Sequence, residues 1–210
     1  MARLPCGRFG QIDCSPQRRE STATLNWMIV LVLLSSTATA DVGLWEKLRH
    51  DPNMVVLMRN AESGGNRDGT NMLVWDSSGN CVGESILTEE GRAQARAVGA
   101  AFSAHDINPV VISSPMCRCT QTAQIAFGKF IADPDLRQRP VEDTTGQEAF
   151  LAAAGALLAK HRGTSPIVFV NHRPNIDALT LELIGIGELL VGKILDDGEI
   201  EVLGRIPVQE

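Results

Sequence analysis

Three short segments of the chain are apolar at nearly every position. Met54-Val55-Val56-Leu57-Met58 follows a break at Asp51-Pro52 and ends abruptly in Arg59-Asn60. Runs of this length without polar alternation predict strands buried on both faces, as in a parallel sheet. Pro109 to Ile112, closed by Ser113-Ser114-Pro115, and Pro166 to Val170, delivering Asn171-His172, repeat the pattern. Helical spacing fills the intervals. Thr88 is an N-cap followed by Glu89 and Glu90, and Ala93, Ala97, Val98, Ala101 and Phe102 then recur at helical spacing through Ala104. A second helix runs from about Met116 to Phe127 with Gly128 at its C-cap. A third spans Gln147 to His161, and a fourth opens at Pro174, where proline suits the first turn, and runs to about Ile184. Leu189 to Leu195 and Glu199 to Leu203, around Asp197-Gly198, carry the signal of a hairpin. Strands alternating with helices predict an α/β sandwich with a mainly parallel sheet and the antiparallel pair at one edge.

Two segments lack periodicity. Residues 64 to 83 are rich in Gly, Asn, Asp and Ser and read as a long surface loop around Met72-Leu73-Val74-Trp75; loops of that length are usually functional. Residues 133 to 146, punctuated by prolines, acids and Gly146, read as an excursion over the face on which the strands end.

The amino end changes the picture of where the protein works. Arg18 and Arg19 precede an apolar run from Trp27 to Leu34 and the tripeptide Ala38-Thr39-Ala40, the layout of a secretory signal peptide over residues 1–40. The run is far shorter than the roughly 20 residues of a spanning helix. The expectation is an exported protein, periplasmic or extracellular, with one domain over 41–210 and no membrane association after cleavage. Residues 1–40 hold Arg3, Arg8, Arg18 and Arg19 against Asp13 and Glu20, so the net charge of −6 becomes −8 without them. Such an acidic surface repels nucleic acid, and an anionic ligand needs a local group of arginines. Of the five cysteines, Cys81, Cys117 and Cys119 would remain. They permit one disulfide in an oxidising compartment, with Cys81 joined to Cys117 or Cys119, which are too close to each other to pair.

The candidate chemistry lies where the buried strands end. Arg59, Arg118 just beyond Ser113-Ser114-Pro115, and His172 each follow a different one. Carboxyl ends of strands in open α/β sheets face a common crevice, so the three can converge on one oxyanion. Arginine matches phosphate oxygens bidentately, and histidine adds a donor whose charge follows pH.

The motifs around these residues are more specific. Leu57-Met58-Arg59-Asn60-Ala61-Glu62-Ser63, with Asn66 three residues on, resembles the signature of the histidine phosphatase and phosphoglycerate mutase superfamily (branch 1). Leu87-Thr88 with Gly91, Gln94 and Ala95, Ser113-Ser114-Pro115 with Arg118, Thr122 and Ala123, and Val170-Asn171-His172 resemble its later motifs, in the right order. The resemblance implies a three-layer α/β/α sandwich of the phosphoglycerate mutase-like kind. It also implies metal-free, cofactor-free transfer of a phosphoryl group through a phosphohistidine, with an acid protonating the leaving oxygen. Carried over by position, Arg59, Arg118 and His172 hold phosphate, and Ser63 and Asn66 add neutral hydrogen bonds. Asn60 stands where the nucleophilic histidine belongs, and its delocalised amide nitrogen has no lone pair for attack. Glu142 is the candidate proton donor, with Asp143, Glu84 and Glu148 as alternatives. The partner expected is a phosphate-containing small molecule or phosphorylated ligand, with hydrolysis impaired by Asn60. The alternative is a noncatalytic module that binds a phosphate ligand or a partner.

Overall fold

A computed structural model of the chain describes residues 42–65 and 71–208. The segment 1–40, and with it the expected signal peptide, lies outside the described residues. Six strands form one sheet: β1 (Met54–Arg59), β2 (Val110–Ser113), β3 (Ile131–Ala132), β4 (Ile167–Asn171), β5 (Glu188–Ile194) and β6 (Ile200–Pro207). Their order is β3-β2-β4-β1-β5-β6. The first four run parallel, while β5 lies antiparallel to β1 and β6 antiparallel to β5, so the expected hairpin does form one edge.

The unbroken apolar runs have a direct cause: both faces of the sheet are covered. Successive strand residues point to opposite faces. Met54, Val56 and Met58 of β1, with Val168 and Val170 of β4, pack into one core together with α1 (42–50), α2 (Glu89–Ala104) and α3 (Cys117–Phe127). Val55 and Leu57, with Ile167 and Phe169, pack into a second core under α4 (Thr144–His161) and α5 (Arg173–Thr180). This is the three-layer α/β/α arrangement. In the first core Phe102 meets Trp45 and Phe127 edge to face, each at 5.2 Å between ring centroids, contacts that add about 0.5–1.5 kcal/mol apiece beyond area burial.

Several boundaries differ from the sequence expectation for identifiable reasons. The helix over 42–50, unassigned from sequence, is anchored by buried Leu44, Trp45 and Leu48. α4 begins at Thr144 rather than Gln147 because the Asp143 carboxylate caps it, accepting from the Gly146 N–H at 2.9 Å. α5 ends at Thr180 rather than Ile184 because Leu181 takes a left-handed conformation, φ 58°. The excursion after residue 130 contains β3, two residues paired with Ile112 and Ser113, and a single 3-10 turn, Pro134–Leu136. Neither is long enough to carry a period.

Candidate functional site

The sheet order brings β2, β4 and β1 side by side and parallel, so their carboxyl ends share one edge. Arg59 lies opposite Asn171, and Ser113 opposite Val170. The ladder extends one residue past the strands: the Asn60 N–H donates to Asn171 O at 2.9 Å and the Ser114 N–H to Val170 O at 3.0 Å. Asn60, Ser114 and His172 are thereby held at one level. Arg118 reaches the same place from the first turn of α3.

Residues whose roles were obscure in the sequence turn out to hold the backbone that follows β1. The Ala61 N–H donates to Thr122 Oγ1 at 3.0 Å and the Glu62 N–H to Gln94 Oε1 at 2.9 Å. Thr88 N–H donates to Glu62 O at 3.1 Å, while the Thr88 hydroxyl caps α2 by accepting from Gly91 N–H at 3.0 Å. At Gly91 a Cβ would fall 1.9 Å from Glu62 O. Only glycine permits this approach of helix and loop.

Arg118 is fully buried, with no exposed surface. Its Nη2 donates to Met72 O at 3.0 Å and to Gln138 Oε1 at 2.9 Å, whereas Nε and Nη1 have no partner among the described residues. The Nε of half-buried Arg59 is likewise buried and unpartnered. Burial depresses the pKa of both guanidiniums; for Arg59 the next largest cause is the charge of Arg173, and Arg118 adds to it. Both remain charged at any ordinary pH. His172, 2 % exposed, has its pKa driven well below that of free histidine, first by burial and then by Arg118 and Arg59. Its imidazole is therefore neutral near pH 7. Its Nε2 lies 2.8 Å from Ser114 Oγ, and its backbone N–H donates to Asn171 Oδ1 at 2.8 Å. The crevice gathers positive charge and unused donors, the makings of an oxyanion site.

A strap formed by residues 71–84 covers it. Met72 supplies the carbonyl on Arg118, and Trp75 lies under the Arg137 guanidinium at 4.8 Å. A disulfide joins Cys81 to Cys117 at the start of α3, settling the pairing that sequence left open. Buried Glu84 fastens the same end, its carboxylate accepting from Asp76 N–H at 2.8 Å and Cys117 N–H at 2.7 Å. With both oxygens engaged, it serves as a fastener of the strap. Met72 and Gln138, whose oxygens accept from Arg118, carry no motif in the sequence that could have revealed them.

The other candidate residues divide. Asn60, 5 % exposed, is in the crevice, but its Nδ2 donates to Ala61 O at 2.9 Å and to Ser63 Oγ at 3.4 Å. Ser63 is half-buried and bridges to Leu87. Asn66 lies outside the described residues. Glu142 is exposed on the turn before α4, with no side-chain hydrogen bond to Arg59, Arg118 or His172. Asp143 is engaged as the α4 cap and with Arg139, and Glu148 is exposed on α4. Cys119 is a buried free thiol, and burial pushes its pKa up to about 12. Among the described residues no group of histidine, cysteine and carboxylate side chains could hold a metal ion, and no helix is long and apolar enough to cross a membrane.

Comparison with known proteins agrees with this architecture. Residues 55–153 match the family model of the histidine phosphatase superfamily (branch 1). Among solved structures, the protein histidine phosphatase SixA complexed with tungstate matches with a TM-score of 0.54 at 16 % identity, over 73 % of this chain and 96 % of that one. A phosphoserine phosphatase of Entamoeba histolytica in complex with 3-phosphoglyceric acid matches with a TM-score of 0.54 at 18 % identity, over 74 % and 98 %. A phosphoglycerate mutase of Thermus thermophilus matches with a TM-score of 0.51 at 20 % identity, over 74 % and 99 %. No curated protein matches the chain significantly by sequence. Residues 55–153 are thus similar to the histidine phosphatase superfamily (branch 1), and the chain has a phosphoglycerate mutase-like α/β fold.

Proposed function

We propose that the crevice binds the phosphoryl group of a phosphomonoester, or free phosphate, through Arg59, Arg118 and His172, and that Asn60 blocks the phosphohistidine route and so impairs hydrolysis. The observation that carries this reading is the state of Arg118, a completely buried guanidinium with Nε and Nη1 unpartnered. Buried donors normally find partners, and a phosphoryl oxygen is the partner this geometry suits. Similar folds hold tungstate in SixA and 3-phosphoglyceric acid in the Entamoeba enzyme, which supports an oxyanion at this edge of the sheet. Asn60 can donate to an oxyanion but has no lone pair to offer phosphorus. Its amide, turned onto Ala61 O and Ser63 Oγ, favours the second reading, a noncatalytic module that recognises a phosphorylated ligand.

Export belongs to the same proposal: residues 1–40 act as a signal peptide, and the domain over 41–210 works in the periplasm or outside the cell. The Cys81–Cys117 disulfide supports an oxidising compartment. The test of function compares the parent chain with Asn60→His on p-nitrophenyl phosphate. Calorimetry with inorganic phosphate runs alongside. Phosphate binding by both, with turnover raised by at least about 100-fold in the variant, is the expected result. Vigorous turnover by the parent overturns the impairment, and absence of turnover in both leaves the binding module.

A further inference from the structure

We propose that Ser114, with His172 as its base, is the nucleophile this chain uses in place of the missing histidine, so that residual hydrolysis passes through a phosphoserine. The proposal rests on the reading that the crevice holds a phosphomonoester. Ser114 Oγ lies 2.8 Å from His172 Nε2, within the reach that defines a nucleophile and its base. Both residues are fixed by the sheet. Ser114 N–H is bonded to Val170 O at 3.0 Å, and His172 N–H to Asn171 Oδ1 at 2.8 Å. The Ser114 hydroxyl oxygen accepts from Met116 N–H at 3.4 Å. In the tautomer that carries its proton on Nδ1, His172 Nε2 accepts the Ser114 hydroxyl hydrogen, the arrangement a general base requires.

The competing nucleophiles fall away one by one. Asn60 is a donor to Ala61 O. Cys81 and Cys117 are joined in a disulfide. Cys119 is nearby, its sulfur 3.7 Å from both ring nitrogens, but its thiol is buried with a pKa of about 12 and offers almost no thiolate at neutral pH. Among the described residues Ser114 alone combines a hydroxyl, a neutral imidazole at hydrogen-bond distance and an arginine four residues on whose Nε and Nη1 are unpartnered. Those donors can stabilise charge on the equatorial oxygens as the bond to phosphorus forms.

The step balances without any further reactant than water. Ser114 Oγ attacks phosphorus while its proton passes to His172 Nε2. The bond from phosphorus to the ester oxygen, in line with Oγ, breaks, and the departing oxygen takes its proton from a water molecule on that side. The hydroxide so formed attacks the phosphoserine, the bond from phosphorus to Oγ breaks, and the imidazolium returns its proton to Oγ, releasing phosphate and restoring the serine.

A hydroxyl that merely positions the imidazole gives no covalent intermediate, and this separates the two roles. The full chain is incubated with p-nitrophenyl phosphate, quenched in acid, digested and examined by mass spectrometry; phosphoserine survives acid, phosphohistidine does not. The expected result is one phosphoryl group on the peptide at Ser114, and p-nitrophenol release reduced about 100-fold or more in Ser114→Ala. In Asn60→His combined with Ser114→Ala, release returns and the label becomes acid-labile. A chain that binds inorganic phosphate by calorimetry but never carries a phosphoryl group at Ser114, or whose release is unchanged in Ser114→Ala, overturns the proposal and leaves the phosphate site standing. Failure to bind phosphate at all overturns the site itself.

Discussion

Replacing Arg118 with methionine should separate stability from binding. In the native chain its Nη2 makes two charge-assisted hydrogen bonds, to Met72 O at 3.0 Å and Gln138 Oε1 at 2.9 Å. At about 1.5–3 kcal/mol each, their gross loss is roughly 3–6 kcal/mol. Against this stands the desolvation of a guanidinium with no exposed surface and with Nε and Nη1 unpartnered, itself worth several kcal/mol. Met72 and Gln138 are only half-buried and can turn to water. The terms offset, so urea denaturation should place Arg118→Met within about 1 kcal/mol of the parent in phosphate-free buffer. Phosphate reverses the picture. Losing a charge-assisted contact of up to about 3 kcal/mol weakens binding by roughly 100-fold. At a phosphate concentration of about 100 times the parent Kd the parent gains about 2.7 kcal/mol, and a variant with roughly 100-fold weaker binding only about 0.4 kcal/mol. An equal phosphate increment in both proteins, with a large loss in the variant without phosphate, would refute the reasoning and make Arg118 a structural arginine.

Gly91→Ala places a methyl group 1.9 Å from Glu62 O; a cost of about 1–3 kcal/mol by urea denaturation, with weaker phosphate binding by calorimetry, is expected because the loop after β1 must shift. Since the native pKa of His172 lies below its unfolded value of about 6.5, the unfolded chain takes up the proton first. This contribution to stability is complete above about pH 6.5 and falls below it by up to about 1.4 kcal/mol per unit until the native imidazole titrates; the pH profile of His172→Gln should lack that component. Cys81→Ser with Cys117→Ser opens a link between residues 36 apart and should lower stability by about 3–4 kcal/mol, read as a fall in the denaturation midpoint.

The sheet was legible because its strands are covered on both faces and so lack polar positions altogether. Met54–Met58 announces β1 without ambiguity, and the charged or titratable residue behind each such run marks the shared edge. What stayed hidden follows from the same logic. β3, at two residues, has no period to detect, and Gln138 sits in an irregular segment where position, rather than pattern, brings it to Arg118. Thr122, Gln94 and Gly91 were visible as motif members, yet their work is done on the backbone of Ala61 and Glu62, contacts that spacing alone does not reveal. The excursion before α4 brings Gln138 to Arg118, whereas Glu142 lies exposed on the turn. An acid on an irregular segment has no sequence signature for burial.

The charge balance of the crevice gives the phosphate reading its physical force. Arg59 and Arg118 are brought together at the edge where β1 and β2 end, Arg173 stands near enough to depress Arg59 further, and His172 is held neutral by burial first and then by Arg118 and Arg59. Glu84, the acid nearest Arg118 in effect, spends its oxygens on the backbone of the strap and of α3. Each buried donor left unpaired costs about 1–3 kcal/mol, and Arg118 leaves two such donors on a guanidinium with no exposed surface. Here the protein uses Nη2 to hold the guanidinium still and leaves Nε and Nη1 unmatched. A bound oxyanion removes that deficit and compensates the clustered positive charge in one event, whether or not the phosphoryl group is subsequently transferred.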